Sequence, residues 1–348
     1  MQNLVTVIKN LTKKRLFWPI IALLAVLIFD SIFIDGFLTI ELKNGNLYGR
    51  IIDIINRSSS LIIITIGMTL VIATGGIDIS VGSVVAISGA ITVQLLGSGI
   101  APNTPFFLCI IASLAAAALL GCWNGFLVSR IGVQAVVATL ILNVAGRGIA
   151  QLVTNGQIPT TQYKPFSYLA GFLPHLPIPF SIFIVAVVLT AIVLFVKKTA
   201  FGLFVESVGV NSKASRFAGL KAQRIVFATY AICGLCAGIA GLMISSMIKA
   251  ADSNNAGLLI EMDAILAVAI GGNPMSGGKF SIAASVIGAL IIQSLTTTLY
   301  AMGVSPEVLP VVKAVVVVII CLFQSEGTHK MILKVLSTHR RLKYEKTV

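Results

Sequence analysis

Apolar residues fall into long runs separated by short polar segments, at 17–34, 52–73, 81–96, 106–128, 133–153, 178–196, 225–247, 261–270, 280–300 and 309–323. Most are long enough to cross a bilayer core of roughly 30 Å at 1.5 Å per helical residue. The pattern predicts an all-α polytopic membrane protein with about ten transmembrane helices, the eighth run being too short for a full crossing. It divides the chain into an N-terminal segment at 1–16, a transmembrane domain at 17–324 and a basic tail at 325–348. The first run follows Lys9, Lys13, Lys14 and Arg15 in the manner of a signal peptide. It is too long for one and lacks a small-x-small cleavage site, so an uncleaved first span is expected.

Composition sharpens the class. Of 348 residues, 57% are hydrophobic and 11% charged, against about 25% charged in a soluble domain. The net charge of +13 does not indicate nucleic acid, because the Lys and Arg residues sit between apolar runs and not on a basic face interleaved with aromatics. The positive-inside rule places both termini, Arg130, the 197–224 loop, Lys279 and the tail in the cytoplasm, with 35–50, 155–176 and 252–259 outside. Five cysteines, Cys109, Cys122, Cys233, Cys236 and Cys321, all lie in apolar runs, an odd number without secreted-domain spacing. Cys233 and Cys236 lack a second pair or a histidine and read as small helix-packing residues, as do Gly121, Gly125, Gly234, Gly238 and Gly241.

Two stretches break the apolar pattern. TGGIDISVGS at 74–83 puts paired glycines, a carboxylate and two serines between two runs. In lipid such a break is tolerated only against protein or a water-filled path. Residues 70–82 align without a gap on 266–278, sharing Leu, Ala, Gly, Gly, Ser and Gly, and paired broken segments of this kind point to a transport pathway. Gly75, Gly76, Asp78 and Ser80, with Gly271, Gly272, Asn273 and Ser276, are the candidates for a paired gate toward the cytoplasmic side. Asp78 reads either as a functional intramembrane carboxylate or, preferably, as a cap for the helix starting near Ser80 or Val81.

Other polar groups leave alternatives open. Asn143, Arg147 and Gln151 share one helical face at i, i+4 spacing, as a solute-lining surface or an internal polar seam. Asp252, Asn254, Asn255, Glu261 and Asp263 form an acidic, amide-rich entrance suited to a hydroxylated solute or to a basic docking partner. Trp123, Tyr163 and Tyr168 read as membrane-interface anchors. Gly277-Gly278-Lys279 is not a phosphate loop, because Asn273 occupies the place of the required first glycine. His175, His329 and His339 are dispersed, and no nucleophile, base or metal cluster is visible, so neither an enzyme nor a cofactor is expected. In the loop 206–219, Asn211 or Ser212 offers an N-cap to a short helix ending at Gly219, a docking element or an ordinary surface helix.

The runs ATGGIDISVGS at 73–83, VGVNSKASRFAGL at 208–220 and LLIEMDAILAVAIGGNPMSGGKFS at 258–281 resemble the permease subunits of ribose-type ABC importers, over about 51–324. Within that family, VAGRGIAQLVTNGQI at 144–158 and ADSNNAGLLIEMDAILAV at 251–268 are most similar to galactofuranose permeases. The chain departs from the family pattern at Ala214-Ser215, where Ala-Ala is usual, and at Asn273-Pro274, which could alter the gate. The resemblance implies a sugar importer of the bacterial inner membrane that moves solute by alternating access. ATP would be bound by a separate cytoplasmic ATPase, commonly two fused nucleotide-binding halves, and an extracytoplasmic sugar-binding protein would deliver the solute. A second permease chain, identical or paralogous, would complete the path. Glu206, Gly209, Asn211, Ala214, Ser215, Ala218 and Gly219 would couple to the ATPase. The rival reading is a secondary transporter driven by an ion gradient, with Asp78, Arg147 and Asp263 as a charge relay.

Overall fold

The computed structural model describes residues 16–43, 45–97 and 103–324. The N-terminal basic segment through Arg15 and the tail at 325–348, with His329 and His339, lie outside the described residues. The remainder is helical: α1 Phe17–Phe33, α2 Arg50–Ala73, α3 Val81–Leu96, α4 Phe106–Phe126, α5 Ala135–Val153, α6 Lys164–Ser167 and α7 Phe180–Lys198. There follow α8 Phe201–Val210, α9 Ser212–Phe217, α10 Ala222–Ile248, α11 Ile260–Ile270, α12 Ile282–Ala301 and α13 Leu309–Gln324. A π-helical turn, Leu127–Ile131, prolongs α4. Strands β1 Glu41–Lys43 and β2 Asn46–Tyr48 form a small antiparallel hairpin with Leu42 opposite Leu47.

Among the described residues six helices are long and apolar enough to cross a membrane: α2, α4 with its π turn, α5, α7, α10 and α12. The other four expected spans correspond to shorter helices, α1, α3, α11 and α13, so ten full-length crossings are not established. The eleven residues of α11 reach only about 16 Å, roughly half the hydrocarbon thickness.

The axis of the bundle is α2. Every residue from Leu61 to Ala73 on it is buried by the surrounding helices. The small residues noted in the sequence bring α10 onto α2 and α4. A Cβ on Gly234 would lie 2.7 Å from both Ala117 O and Gly121 Cα, and one on Gly67 would lie 2.9 Å from Cys233 Cα. Backbones that close gain dispersion contacts, which drive helix association where lipid removes the hydrophobic incentive.

The polar segments gather at the two ends of this bundle. At the end where α2 begins, Leu47 N–H donates to Pro177 O at 2.8 Å, Ala251 N–H to Pro159 O at 2.9 Å and Thr161 N–H to Lys249 O at 2.9 Å. The three segments expected to face one side are thus joined there. At the other end lie the end of α2, the π turn, α8 and α9.

Side chains also tie the outer helices to the centre. Lys313 on α13 pairs with Asp263 on α11, its Nζ 2.9 and 3.1 Å from the two carboxylate oxygens. Thr298 on α12 donates to Asp30 on α1 at 2.5 Å, and Thr69 on α2 donates to Ser285 on α12 at 2.8 Å. Replacing Lys313 by Met strands the Asp263 charge. The expected cost is about 3 kcal/mol, the low end for breaking a buried pair, because Asp263 keeps 26% of its side chain exposed. Thermal unfolding of the purified protein in detergent checks this, and Asp263→Asn added to Lys313→Met restores most of the loss.

Candidate functional site

The two glycine pairs end their helices in the same way. After α2, Gly75 takes φ +83°, its N–H donates to Ile72 O at 2.8 Å, and Gly76 N–H reaches Val71 O at 3.1 Å. After α11, Gly272 takes φ +72°, its N–H donates to Ala269 O at 2.8 Å, and Asn273 N–H reaches Val268 O at 3.3 Å. Both are Schellman turns, in which a residue in the left-handed region lets two N–H groups satisfy the last carbonyls, and glycine adopts that region without a Cβ penalty. The turns match with Gly75 opposite Gly272, one residue away from the gapless sequence alignment.

The chain then brings both breaks together. Gly278 N–H donates to Ala73 O at 2.9 Å. A Cβ on Gly277 would lie 2.8 Å from Gly75 N, and one on Gly75 3.5 Å from Ser276 O. Gly209 of α8 closes the group, for a Cβ there would collide with Ala73 O and Gly278 N. Two breaks nearly 200 residues apart and the loop between spans therefore meet at one point, with no room for a side chain on Gly209.

Beyond Gly76 the chain turns back into the bundle. Asp78 is buried at 1% exposure, and its Oδ1 accepts from Ser80 N–H at 3.0 Å, Ser80 Oγ at 2.6 Å and Asn124 Nδ2 at 3.5 Å. Tyr230 OH donates to Ile77 O at 3.3 Å, and Asn124 Nδ2 to Ser80 Oγ at 2.8 Å. The segment carrying Asp78 is thus held against Asn124 of α4 and Tyr230 of α10. By accepting from Ser80 N–H, Asp78 holds the turn that leads into α3, inside the bundle and not at its surface. Asn273 does the equivalent work at the second break: its Oδ1 accepts from Ser281 N–H at 2.6 Å and its Nδ2 donates to Ser285 Oγ at 2.8 Å.

The first turns of the short helices α3 and α11 face each other. A Cβ on Gly82 would lie 2.5 Å from Glu261 Oε2, 2.6 Å from Gly257 O and 3.5 Å from Arg147 Nη2. Arg147 Nη1 donates to the Ala256, Ser253 and Asn254 carbonyls at 2.5, 3.3 and 3.5 Å, and Gln151 Nε2 to Asn254 Oδ1 at 2.6 Å. Arg147 and Gln151 of the α5 face thus clamp the 252–257 loop onto α3, while Asn143 on that face does not bond to it. Glu261 is 6% exposed, and its Oε2, like Asn143 Oδ1, is buried without a hydrogen-bond partner. Buried acceptors left open mark a place where a further donor can bind. Asp252 folds the loop by accepting from Asn254 N–H and Asn255 N–H, each at 3.0 Å, and from Asn255 Nδ2 at 2.8 Å. Partial burial alone would raise its carboxyl, but these donors, with Arg147 nearby, hold it below the usual carboxylate range.

Asp78, Arg147 and Asp263 are not brought together as a relay: Asp263 pairs with Lys313, Asp78 with the turn, and Arg147 with loop carbonyls. At the α8–α9 corner, Asn211 is the cap, its Oδ1 accepting from Ala214 N–H at 2.9 Å. Gly219 ends the helix at φ +86°, with Leu220 N–H on Ser215 O at 3.0 Å. The departure at Ser215 has a use, since its hydroxyl donates to Ser207 O at 2.9 Å and fastens α9 to α8. Lys213, Ala214, Arg216, Phe217 and Ala218 are exposed, while Glu206 is half-buried. Sequence reading missed Phe217, the most exposed large apolar side chain among the described residues at 94%, as well as Asn124, Tyr230 and Cys233 near Asp78. Lys313 and Asp30 were detectable as lone charges within apolar runs.

Residues 50–321 match the family model described as a branched-chain amino acid transport system / permease component. The chain is 47% identical over 322 residues to the galactofuranose transporter permease protein of Escherichia coli, covering 90% of this chain and 92% of that one. It is 40% identical over 331 residues to the fructose import permease protein of Bifidobacterium longum, covering 93% and 91%. To the ribose import permease protein of Escherichia coli it is 34% identical over 310 residues, covering 88% and 92%. No solved structure matches. A bundle of apolar helices interrupted by two apposed glycine turns, matched to this model over most of its length, belongs to the family of transport-system permease components.

Proposed function

We propose that the chain is the membrane-spanning permease subunit of an ATP-driven, binding-protein-dependent sugar importer, with galactofuranose or a related furanose as its solute. The observation that carries this reading is Gly209, packed against Ala73 and Gly278 at the base of an exposed, capped helix. A force applied to α9 passes through α8 to both glycine turns at once. In this reading a cytoplasmic ATPase, with two fused nucleotide-binding halves, seats α9 and binds the ATP, while this chain holds no cofactor of its own. Closure of the ATPase moves α9, shifts the apposed turns and tips the bundle between inward-open and outward-open states.

The loops at 155–164 and 252–261 receive an extracytoplasmic sugar-binding protein, and a second permease chain, identical or paralogous, completes the path. The protein would sit in a bacterial inner membrane with both termini in the cytoplasm, the 197–224 loop and the tail on the same side. Similarity to permeases named for galactofuranose, fructose and ribose supports a sugar over the amino acid in the family description. The open acceptors of Glu261 and Asn143 suit a hydroxylated solute, whose O–H groups donate.

Proteoliposomes holding the permease, ATPase and binding protein are expected to accumulate sugar only with ATP inside the ATPase compartment; accumulation driven by an ion gradient alone would sink the proposal. Phe217→Ala is expected to weaken retention of the ATPase about tenfold or more, the scale of an exposed aromatic anchor, with unchanged folded yield; a pull-down titration measures it. Asp78→Asn keeps an amide oxygen for the Ser80 donors and is expected to preserve assembly and transport within a few-fold. Asp78→Ala leaves those buried donors unpaired and is expected to lower stability by about 1–3 kcal/mol, read by thermal unfolding beside an uptake assay.

A further inference from the structure

Arg130, Arg216, Lys221 and Arg224 converge on one cavity of about 340 Å³, completed by Leu220, Ala222 and Gln223. None of the four cations has an acidic partner within 4 Å among the described residues, where both ion pairs lie elsewhere. Arg130 sits in the π turn that prolongs α4, and Lys221 and Arg224 flank the start of α10. Both α4 with its π turn and α10 are long enough to cross a membrane, so the cavity lies where two spans end. Four unneutralised cations around a hollow repel one another and gain from a shared anion, more strongly near a low-dielectric surface than in open water.

We propose that this cavity binds the phosphate headgroup of an anionic phospholipid. A lipid is favoured over a free anion because apolar side chains adjoin the cations on the same elements: Phe126 and Ile131 beside Arg130 are 45% and 59% exposed. Acyl chains can lie on that surface while the phosphate meets the guanidinium groups, whose planar forks match phosphate oxygens, and the Lys221 ammonium. The cavity shares Arg216, Ala222 and Gln223 with a second, polar hollow of about 270 Å³ that reaches Thr74, Gly75 and Gly76. A bound headgroup therefore shares lining residues with the hollow that reaches the first glycine turn, which gives the lipid a route to bias the gate. The binding itself does not depend on the transport reading, and only that last consequence does.

The test uses the assembled complex in nanodiscs of phosphatidylcholine doped with fluorescent phosphatidylglycerol, comparing wild type with Arg130→Gln, Lys221→Gln, Arg224→Gln and their combination. Arg216 is left in place because it sits on the exposed helix. Wild type is expected to enrich phosphatidylglycerol in its lipid shell, and each substitution to reduce the preference by about fivefold. Inorganic phosphate at equal concentration is expected not to displace the lipid. Lys197→Gln with Lys198→Gln, which removes charge at the end of another span, is expected to leave the preference intact. The proposal is overturned if the triple variant retains the wild-type preference or if the Lys197 and Lys198 control loses as much. Displacement by inorganic phosphate would also overturn it, assigning the cavity to a free anion. So would a triple variant that loses only the ATPase while its lipid shell is unchanged, which would assign these cations to an acidic protein surface.

Discussion

The hydrogen bond from Gly278 N–H to the Ala73 carbonyl is the constraint on which the rest of the permease depends. The last carbonyls of a helix have no partner within it, and α2 is buried all round at this end. Those carbonyls must therefore be met by the chain itself. The Schellman turn at Gly75 takes two of them, and the turn from the far half of the sequence takes a third. Gly209 then fits against the pair because it has no side chain. Satisfying one buried helix end thus fixes the mutual position of both breaks and of the exposed α8–α9 corner.

A bundle organised this way has a rigid centre and two soft places. The rigid centre is the α2–α4–α10 contact, where small residues let backbones touch. The soft places are the inward-turned segment at 76–80 and the loop at 252–257. Each is held by hydrogen bonds from side chains and not by a helical ladder: Asp78 with Ser80 and Asn124 in one, and Arg147 with three carbonyls in the other. Hydrogen bonds of this kind contribute about 1 kcal/mol each in net terms, which is small enough for a ligand or a partner to rearrange them. The first turns of α3 and α11 meet between these two places, where Glu261 keeps an open acceptor.

The two halves perform the same structural task with different chemistry. Asp78 pins the first break by accepting from Ser80, whereas at the second Asn273 does the pinning by bridging to Ser281 and Ser285. Proline cannot donate, but it does not need to where an amide beside it supplies both an acceptor and a donor. At the Asn273-Pro274 departure from the family pattern, Asn273 holds the turn that Gly272 makes.

The helices of the ten apolar runs, though not ten full crossings, the membrane class, the glycine breaks and the capped helix from Asn211 to Gly219 were legible in the sequence. They depend on local rules: apolar run length, the φ freedom of glycine and the reach of an Asn side chain to the third N–H beyond it. Sequence also marked the small residues of α4 and α10 as close-packing surfaces. It did not reveal that the breaks touch, that Gly209 lies between them, that Asp263 is neutralised by Lys313, or that Asp78 is carried inside the bundle to lie near Asn124, Tyr230 and Cys233. Those facts join residues from about 45 to more than 200 positions apart. Their energies arise from packing and from satisfying buried polar groups, which periodicity along one helix does not encode. Tertiary structure alone decided them, because only the folded bundle determines which carbonyl faces which donor.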